Sequence, residues 1–388
     1  EMEARLSGVR EYPFGGVMVH RTPGAFSCFS WRNHVLAFTL PRKGIWNVTP
    51  LYQSMVGTVE FVGRNAEFSA EHAVAEAEQW HVDPRRDGFA AIARLMRGER
   101  ELRQDVAFCS LKDGRSVYIE RFTALRDTAI KELATGMIGI RNEHYSALPT
   151  LAPGRRTVFL PGREETFRGF YGKEPDLVRR YDSAGYINVD NEIGYLLFGS
   201  AGIRYLNKHV YPKWRGVEDV LTLNVREFVT LKAGDSLTPF VAVALPNYSL
   251  EETAAAYRES ILYHSGTDAV VLETDGILVY ANFGDAQTVT ASKPCLSGPV
   301  RLYEGVQRIR NGEVIWRRRV DGFRSGYLAC CGYLEFSEMP DDLSIFVCDG
   351  QSVTLVNRSA KPAHFTYVKV NGINKPVRLA PGESLSFE

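Results

Sequence analysis

The sequence predicts a predominantly all-β protein, with a large antiparallel β-domain, one linking helix and a smaller β-sandwich. Three observations predict this class. Apolar and polar residues alternate in many short segments, such as "VMVHRT", "GTVEFV" and "SVYIERF". Asp-Gly pairs follow such segments at 113–114, 275–276 and 349–350, and Asp-Gly favours the positive φ angles of tight hairpins. One stretch carries a complete set of helix signals.

That stretch is "SLEETAAAYRESILYH" at 249–264, where Ser249 and Glu252 have the spacing of a capping box before a run of alanines. A second helix is predicted for "GFAAIARLMRGE" at 88–99, because apolar residues recur there at helical spacing. The segment "EHAVAEAEQWHV" at 71–82 fits a helix by composition and a strand by alternation. We expect a strand.

Two segments repeat one pattern of strand, glycine-centred acidic turn and strand: "VTLKAGDSLTPFVAVAL" at 229–245 and "VRLAPGESLSFE" at 377–388. If each forms a hairpin that closes a β-unit, the chain divides at these points. The sequence therefore predicts a large domain at 1–245, a linking helix at 246–266 and a small β-sandwich at 267–388.

Composition excludes several classes of protein. Hydrophobic residues make up 45% and charged residues 24%, as in ordinary globular proteins. Lys plus Arg and Asp plus Glu number 46 each, so no net charge attracts nucleic acid or an anionic membrane. No apolar run is long enough for a transmembrane helix, and no membrane insertion is expected. Motifs of α/β-hydrolases, nucleotide-binding loops and zinc proteases are missing from the sequence.

The first candidate site is "VMVHRTPGAFSCFSW" at 17–31, where a histidine and an arginine precede a Thr-Pro-Gly turn. Strand side chains alternate, so His20 and Arg21 point to opposite faces. A functional interpretation makes His20 an acid or base and Arg21 a carboxylate ligand. A structural interpretation makes His20 a hydrogen-bonded core residue and Arg21 a surface residue.

The second candidate is the stretch at 167–200, which combines aromatic, basic and acidic residues more densely than the rest of the chain. Sugars stack on aromatic rings, and arginine binds carboxylate or sulfate with two hydrogen bonds. The residues that fit this chemistry are Arg168, Tyr171, Arg179, Arg180 and Tyr186.

Within this stretch Asp190, Asn191 and Glu192 form either a plain turn or a set of oxygen ligands for calcium. The third candidate is "LNKHVYPKWRG" at 206–216, where Lys213 and Trp214 suit an anionic glycan, a single-stranded nucleic acid or a solvated loop. The zero net charge favours the glycan over the nucleic acid.

The segments at 12–38, 185–199 and 206–216, with the "LAPGESLSF" ending, resemble the β-sheet half of the large polysaccharide lyases, the hyaluronate, chondroitin and heparinase-like group. In that family a helical toroid precedes an antiparallel β-supersandwich and a smaller β-domain. The resemblance implies that residues 1–245 are a supersandwich and that the protein is secreted, periplasmic or on the cell surface.

This chain departs from the lyase pattern in two ways. It has no run of amphipathic helices for a toroid, and it lacks the H-x-H segment of heparinase-type zinc sites. The resemblance therefore implies either the C-terminal piece of a longer enzyme, with a preceding helical domain or partner chain, or a derivative that binds glycans without cleaving them.

If lyase chemistry is retained, a base removes the C5 proton of a uronic acid while a cation neutralises its carboxylate. The resemblance implies Arg21 and Arg168 as the cations, His20 or Tyr171 as the base and Tyr186 as a proton donor. It also implies Trp214 or Trp31 as a ring on which the sugar stacks. This chemistry requires no cofactor, and calcium is the ion that the turn at 190–192 would bind. The expected partner is an acidic polysaccharide or oligosaccharide.

Two alternatives stay open. One is a carbohydrate-binding or surface-interaction protein without catalysis. The other is a β-sandwich glycoside hydrolase, which needs two carboxylates about 5 to 10 Å apart. From the sequence, Asp190 and Glu192 are the pair for that role.

Overall fold

The structure is a computed structural model. It describes residues 7–32, 37–41, 45–47, 59–63, 76–142, 155–160, 163–168, 178–182, 185–210, 216–265, 268–294, 299–348 and 352–387. Strands are numbered in chain order, and all pairings are antiparallel. The all-β class predicted from the sequence is confirmed. The chain divides into two compact units, 1–258 and 259–388.

The first unit contains two nine-stranded sheets. The first sheet has, in spatial order, β1 (Gly8–Tyr12), β2 (Val17–Arg21), β3 (Ala25–Ser30), β4 (Ala37–Pro41), β5 (Ile45–Asn47), β12 (Met137–Asn142), β19 (Gly216–Thr222), β18 (Ile203–Val210) and β15 (Val178–Tyr181). The second has β14 (Arg163–Arg168), β13 (Arg155–Leu160), β16 (Tyr186–Val189), β17 (Ile193–Phe198), β21 (Phe240–Pro246), β10 (Ser116–Ala124), β9 (Leu102–Ser110), β8 (Gly88–Arg97) and β7 (Gln79–Arg85).

The inner faces of these two sheets share one hydrophobic core, in which Met18, Phe29 and Ile138 of the first sheet pack with Phe108 and Tyr118 of the second. A third sheet of three strands has its own smaller core around Phe122 and Ile130. Its strands are β20 (Arg226–Leu231), β11 (Thr128–Leu133) and β6 (Val59–Phe61). Burial of these apolar side chains between layers is what stabilises the unit.

The second unit has three sheets. A four-stranded sheet contains β22 (Ile261–Ser265), β23 (Ala269–Thr274), β24 (Ile277–Asn282) and β29 (Arg324–Ala329). A six-stranded sheet contains β25 (Gln287–Pro294), β28 (Glu313–Val320), β27 (Gly305–Arg310), β31 (Asp342–Cys348), β32 (Ser352–Asn357) and β35 (Ser384–Phe387). Another four-stranded sheet contains β26 (Val300–Leu302), β30 (Gly332–Phe336), β33 (Ala363–Val370) and β34 (Ile373–Leu379). The inner face of the six-stranded sheet contributes to two cores, one with each smaller sheet.

The described helix, α1 (Leu250–Arg258), packs against β16 and β17 of the first unit. Its N-terminus has the predicted capping box, because Ser249 N donates to Glu252 Oε2 at 2.7 Å and Glu252 N donates to Ser249 Oγ at 3.2 Å. The hydrogen bonds that Ser249 donates to the Glu252 carboxylate, from its backbone N and from its Oγ, lower the pKa of Glu252. The prediction of helix as far as residue 264 is wrong, because Ile261–Ser265 pairs with β23. No helix among the described residues is long and apolar enough to span a membrane.

The predicted helix at 88–99 is wrong: Gly88–Arg97 forms β8 between β7 and β9. Most of its side chains are buried on both faces of the sheet, so the alternation that marks a strand is missing from the sequence. Within the segment 71–82, residues 79–82 belong to strand β7, as expected, but residues 76–78 precede the strand. Residues 71–75 lie outside the described residues.

The two segments of the repeated pattern have the same turn. Lys232 N donates to Asp235 Oδ2 at 2.9 Å, and Ala380 N donates to Glu383 Oε2 at 2.7 Å. The prediction that each segment is a hairpin is wrong. In both cases the flanking strands, β20 with β21 and β34 with β35, belong to different sheets. Each turn therefore carries the chain from one sheet to another.

Candidate functional site

His20 lies in the interior between the two nine-stranded sheets, where its side chain is 3% exposed. Its Nδ1 shares a hydrogen bond with Ser110 Oγ at 2.9 Å, on the opposite sheet. Burial lowers the pKa of His20, and the charges of Asp87 and Asp113 oppose this effect. The imidazole is therefore held neutral beneath the surface.

His20 belongs to a set of small polar side chains that crosses the interior. It pairs in register with Ser27 of β3, and Ser27 pairs with Thr39 of β4. Thr39 Oγ1 lies 3.2 Å from Ser27 Oγ and 2.8 Å from Ser116 Oγ on the other sheet. Because buried hydroxyl groups need partners, these bonds fix how the two sheets align.

Arg21 points to the opposite face of β2 and is exposed. It lines a shallow groove of about 350 Å³ with Phe26 and Leu40. The ring of Phe26 packs against Phe38 at 5.8 Å between centroids. No ion pair to Arg21 is found within the described part of the chain. The guanidinium is thus available to a carboxylate or sulfate in the groove.

At the other end of the β2–β3 hairpin, Trp31 is 4% exposed and stacks on Trp80 of β7. The ring centroids are 6.4 Å apart, with an interplanar angle of 19°. Trp80 shares a face of β7 with Val82, which packs on the main core, but its own side chain is 39% exposed. A buried ring thus supports an accessible one at the edge of the sandwich.

A turn beside these rings carries Phe14, whose side chain is 98% exposed. The turn is fixed by Gly16, which has φ 63° and accepts a hydrogen bond from Trp31 N at 2.9 Å. A Cβ atom on Gly16 would lie 2.6 Å from the side chain of Arg32, so only glycine allows Arg32 to pack here. Phe14, Trp31, Arg32 and Trp80 are called the aromatic platform.

Arg32 connects the parts of the aromatic platform. Its Nη1 donates to Phe14 O at 3.5 Å, and its Nε lies 3.1 Å from Glu76 Oε1. Both side chains of the ion pair are largely exposed, so the pair contributes little to stability and can be exchanged for another anion. An exposed ring can stack on the apolar face of a sugar, and a guanidinium can bind the carboxylate of that sugar.

Other predicted site residues lie elsewhere in the first unit. Arg180 of β15 forms an ion pair with Glu227, which also lies 3.7 Å from Arg204. Tyr186 packs on Tyr257 of α1 with ring centroids 5.7 Å apart, so its ring helps to hold the helix on the sheet. The structure does not bring these two residues to His20, Arg21 or Trp31.

Asp190, Asn191 and Glu192 form the turn between β16 and β17, in which Asp190 and Asn191 both have φ 57°. Asp190 Oδ1 accepts from Thr157 N at 3.0 Å, and Asn191 Oδ1 accepts from Leu250 N at 2.6 Å. These oxygens are thus used by the backbone. In the described part of the chain no group of three or more His, Cys, Asp or Glu could hold a metal ion.

Five predicted residues have no described side chain. Tyr171, Lys213 and Trp214 lie outside the described residues. Arg168 is the last residue of β14, opposite Arg155, and Arg179 lies in β15 opposite Tyr205. Their roles stay predictions.

Buried carboxylates are a feature that the sequence did not reveal. Glu120 of β10 accepts hydrogen bonds from Tyr118 at 2.6 Å, Gln104 at 3.0 Å and Asn224 at 3.2 Å. Burial and the Glu120 charge raise the pKa of Tyr118 well above its ordinary value. Solvent does not reach this network, so we interpret it as structural.

The sequence did not identify Phe14, Arg32 and Trp80 as candidate site residues. The signal for Phe14 is an aromatic residue inside the turn "YPFGG", where no core position is available. Trp80 lies in an alternating segment that reads as an ordinary strand. Its contact with Trp31 joins residues that are far apart in the chain, which alternation alone does not predict.

No family model matches the chain, and no curated protein matches it. Among solved structures, it is similar to a Paenibacillus xanthan lyase at 10% identity and a TM-score of 0.46, over 98% of this chain and 48% of that one. It is similar to the Streptomyces coelicolor chondroitin AC lyase in complex with chondroitin sulphate, at 10% identity and a TM-score of 0.43, over 98% and 49%. The chain spans about half the length of either lyase.

Proposed function

We propose that this chain is a carbohydrate-active protein that binds an acidic polysaccharide on the aromatic platform. One observation carries the proposal: Trp80 is accessible and stacks on the buried Trp31, and Arg32, the residue after Trp31, bonds to the backbone of the exposed Phe14. The exposed parts of the Trp80 and Phe14 side chains add little to folding stability, so a ligand accounts for their exposure better than packing does.

The two kinds of side chain have separate tasks. Trp80 and Phe14 provide apolar faces that remove the C–H surface of a sugar ring from water. Arg32 provides a positive charge for a carboxylate or sulfate, for which Glu76 is the partner in the free protein. The platform therefore favours an acidic sugar over a neutral one of the same shape.

The test is Trp80→Ala, measured as the Kd for chondroitin sulfate by titration calorimetry of the full chain. We expect about tenfold weaker binding, which corresponds to about 1.4 kcal/mol. Tyr333→Ala is the matched control, because Tyr333 is an exposed aromatic residue of the second unit, and its Kd should stay at the wild-type value. Unchanged binding by Trp80→Ala would remove the platform from the proposal.

Arg32→Gln tests the charge. We expect this variant to lose affinity for chondroitin sulfate and hyaluronan but to bind a carboxyl-reduced polysaccharide as the wild type does. A parallel loss for acidic and neutral ligands would show that Arg32 acts only by holding the turn.

The β-elimination implied by the resemblance stays a prediction, and it can be tested apart from binding. The protein is incubated with chondroitin, hyaluronan, heparan and alginate, and the ultraviolet absorbance of an unsaturated product is followed. In parallel, a ligand at 100 times its Kd stabilises the protein by about 2.7 kcal/mol and raises its Tm. A higher Tm without absorbance indicates binding alone, and absorbance indicates a lyase.

A further inference from the structure

The outer face of the six-stranded sheet carries a surplus of arginine. Along β28, Val314, Trp316 and Val320 are buried on the inner face, so Glu313, Arg317 and Arg319 point outward by alternation. Neighbouring strands and the segment after β32 add further arginines to this side. The set is called the arginine face: Arg308, Arg310, Arg317, Arg319 and Arg358.

Only part of this charge is neutralised. Arg308 forms two hydrogen bonds to Asp342, at 2.7 and 2.5 Å, and Arg310 lies 3.9 Å from the same carboxylate. Glu313 accepts a hydrogen bond from Ser292 at 2.8 Å. Among the residues that the structure describes, five arginines thus share this face with the carboxylates of Asp342 and Glu313.

Arg317 and Arg319 are exposed, and neither forms an ion pair within the described ranges of the chain. They are two residues apart on one strand, so their Cα atoms are about 7 Å apart. They pair in register with Thr290 and Thr288 of β25, and on the other side Arg317 pairs with Val306 of β27. Each free guanidinium therefore has a hydroxyl group next to it.

This combination fits a sugar polyanion better than other anions. Guanidinium groups on residues whose Cα atoms are about 7 Å apart can reach acidic groups on successive sugars, and threonine hydroxyls can bond sugar hydroxyls. Single-stranded nucleic acid needs exposed rings for its bases, but among the described residues of this face Val306 is the one strongly exposed large apolar side chain.

We propose that the arginine face is a second binding surface for a linear acidic polysaccharide, with Arg317 and Arg319 as its anion ligands. The ligand class rests on the function proposed above, but the surface is a different one, in the second unit.

The test uses the full chain and immobilised chondroitin sulfate. Arg317→Gln/Arg319→Gln is compared with Arg318→Gln/Arg378→Gln, which has the same net charge. Arg318 lies on the same strand but over the Tyr280 ring, at 5.6 Å from its centroid, and Arg378 lies on β34 of another sheet. We expect the first variant to bind about tenfold more weakly, and the control to bind within about twofold of the wild type.

Equal affinity for the two double variants would overturn the inference, because the effect would then be one of net charge. Stronger binding of the wild type to single-stranded DNA than to chondroitin sulfate would overturn the choice of ligand. The platform variant Trp80→Ala is measured alongside. If it binds like the wild type while Arg317→Gln/Arg319→Gln does not, the aromatic platform fails and the arginine face stands.

Discussion

Two neighbouring residues of β2 illustrate how alternation places one side chain in the interior and the next in solvent. His20 faces the interior and bonds to Ser110, whereas Arg21 faces solvent beside Phe26. The orientation of each could be predicted from the sequence, because strand side chains alternate. The partner of His20 could not, since Ser110 is 90 residues away and becomes its neighbour only when the two sheets pack.

His20→Ala and Arg21→Ala should therefore have different effects. Removing the imidazole leaves the Ser110 hydroxyl unsatisfied and creates a cavity, so we expect about 2–3 kcal/mol lower stability. Arg21→Ala should leave stability within about 0.5 kcal/mol and weaken binding of an acidic saccharide. Urea denaturation and titration calorimetry measure the two effects. Equal destabilisation by both variants would contradict the assignment of Arg21 to binding.

Stability should also depend on pH through His20. Burial lowers its pKa in the folded state below the ordinary value of 6.5. As the pH falls below about 6.5, the unfolded chain takes up a proton that the folded protein does not, so the free energy of unfolding decreases toward the lowered pKa. His20→Gln should flatten this part of the profile from pH 7.5 to 5. A variant with the wild-type slope would assign the dependence to other groups.

Among the elements, the strand prediction held for Val17–Arg21, where one face is more accessible than the other, and failed for Gly88–Arg97, which is buried on both faces. Val17–Arg21 alternates between buried and exposed residues and was predicted as a strand. Gly88–Arg97 is buried on both faces and rich in alanine, so helical spacing fitted it equally well. The turns at 232–235 and 380–383 were located correctly, but a turn sequence does not say which sheet the next strand joins.

The close packing of α1 against the sheet depends on Gly194 of β17. A Cβ atom there would lie 2.3 Å from Thr253 Oγ1, and this hydroxyl also accepts a hydrogen bond from Asn188 Nδ2 at 2.9 Å. We expect Gly194→Ala to push the helix away and to cost about 1–3 kcal/mol in unfolding free energy. Gly15→Ala is the control, because its nearest contact would be an ordinary 3.8 Å. A Tm equal to that of the control would mean that the helix can shift freely.

At the scale of the whole molecule, charge is balanced overall and concentrated locally. The chain has 46 basic and 46 acidic residues, yet the arginine face has a surplus of positive charge. The sequence alone does not predict this concentration of charge, because it arises from strands β27, β28 and β31 lying side by side. Net charge could only exclude a general attraction to polyanions.

Duplex DNA should therefore not bind at physiological salt, whereas we expect an acidic polysaccharide to bind. Without a net positive charge there is no long-range attraction to a phosphate backbone, and no described element is a helix suited to a major groove. Fluorescence anisotropy of a labelled duplex, with labelled chondroitin sulfate as the positive control, measures this. DNA binding as tight as that of the glycan would indicate nonspecific recognition of anions.

The differing exposure of the cysteines offers a way to detect ligand binding at the arginine face. Burial raises the pKa of the Cys28 and Cys109 thiols to about 12, so these two react poorly. Cys348 is exposed at the end of β31, whose Asp342 lies on the arginine face. A maleimide dye would label Cys348 in preference to those two thiols. In a variant whose other cysteines are replaced by serine, its fluorescence would report the arrival of a polysaccharide on this sheet.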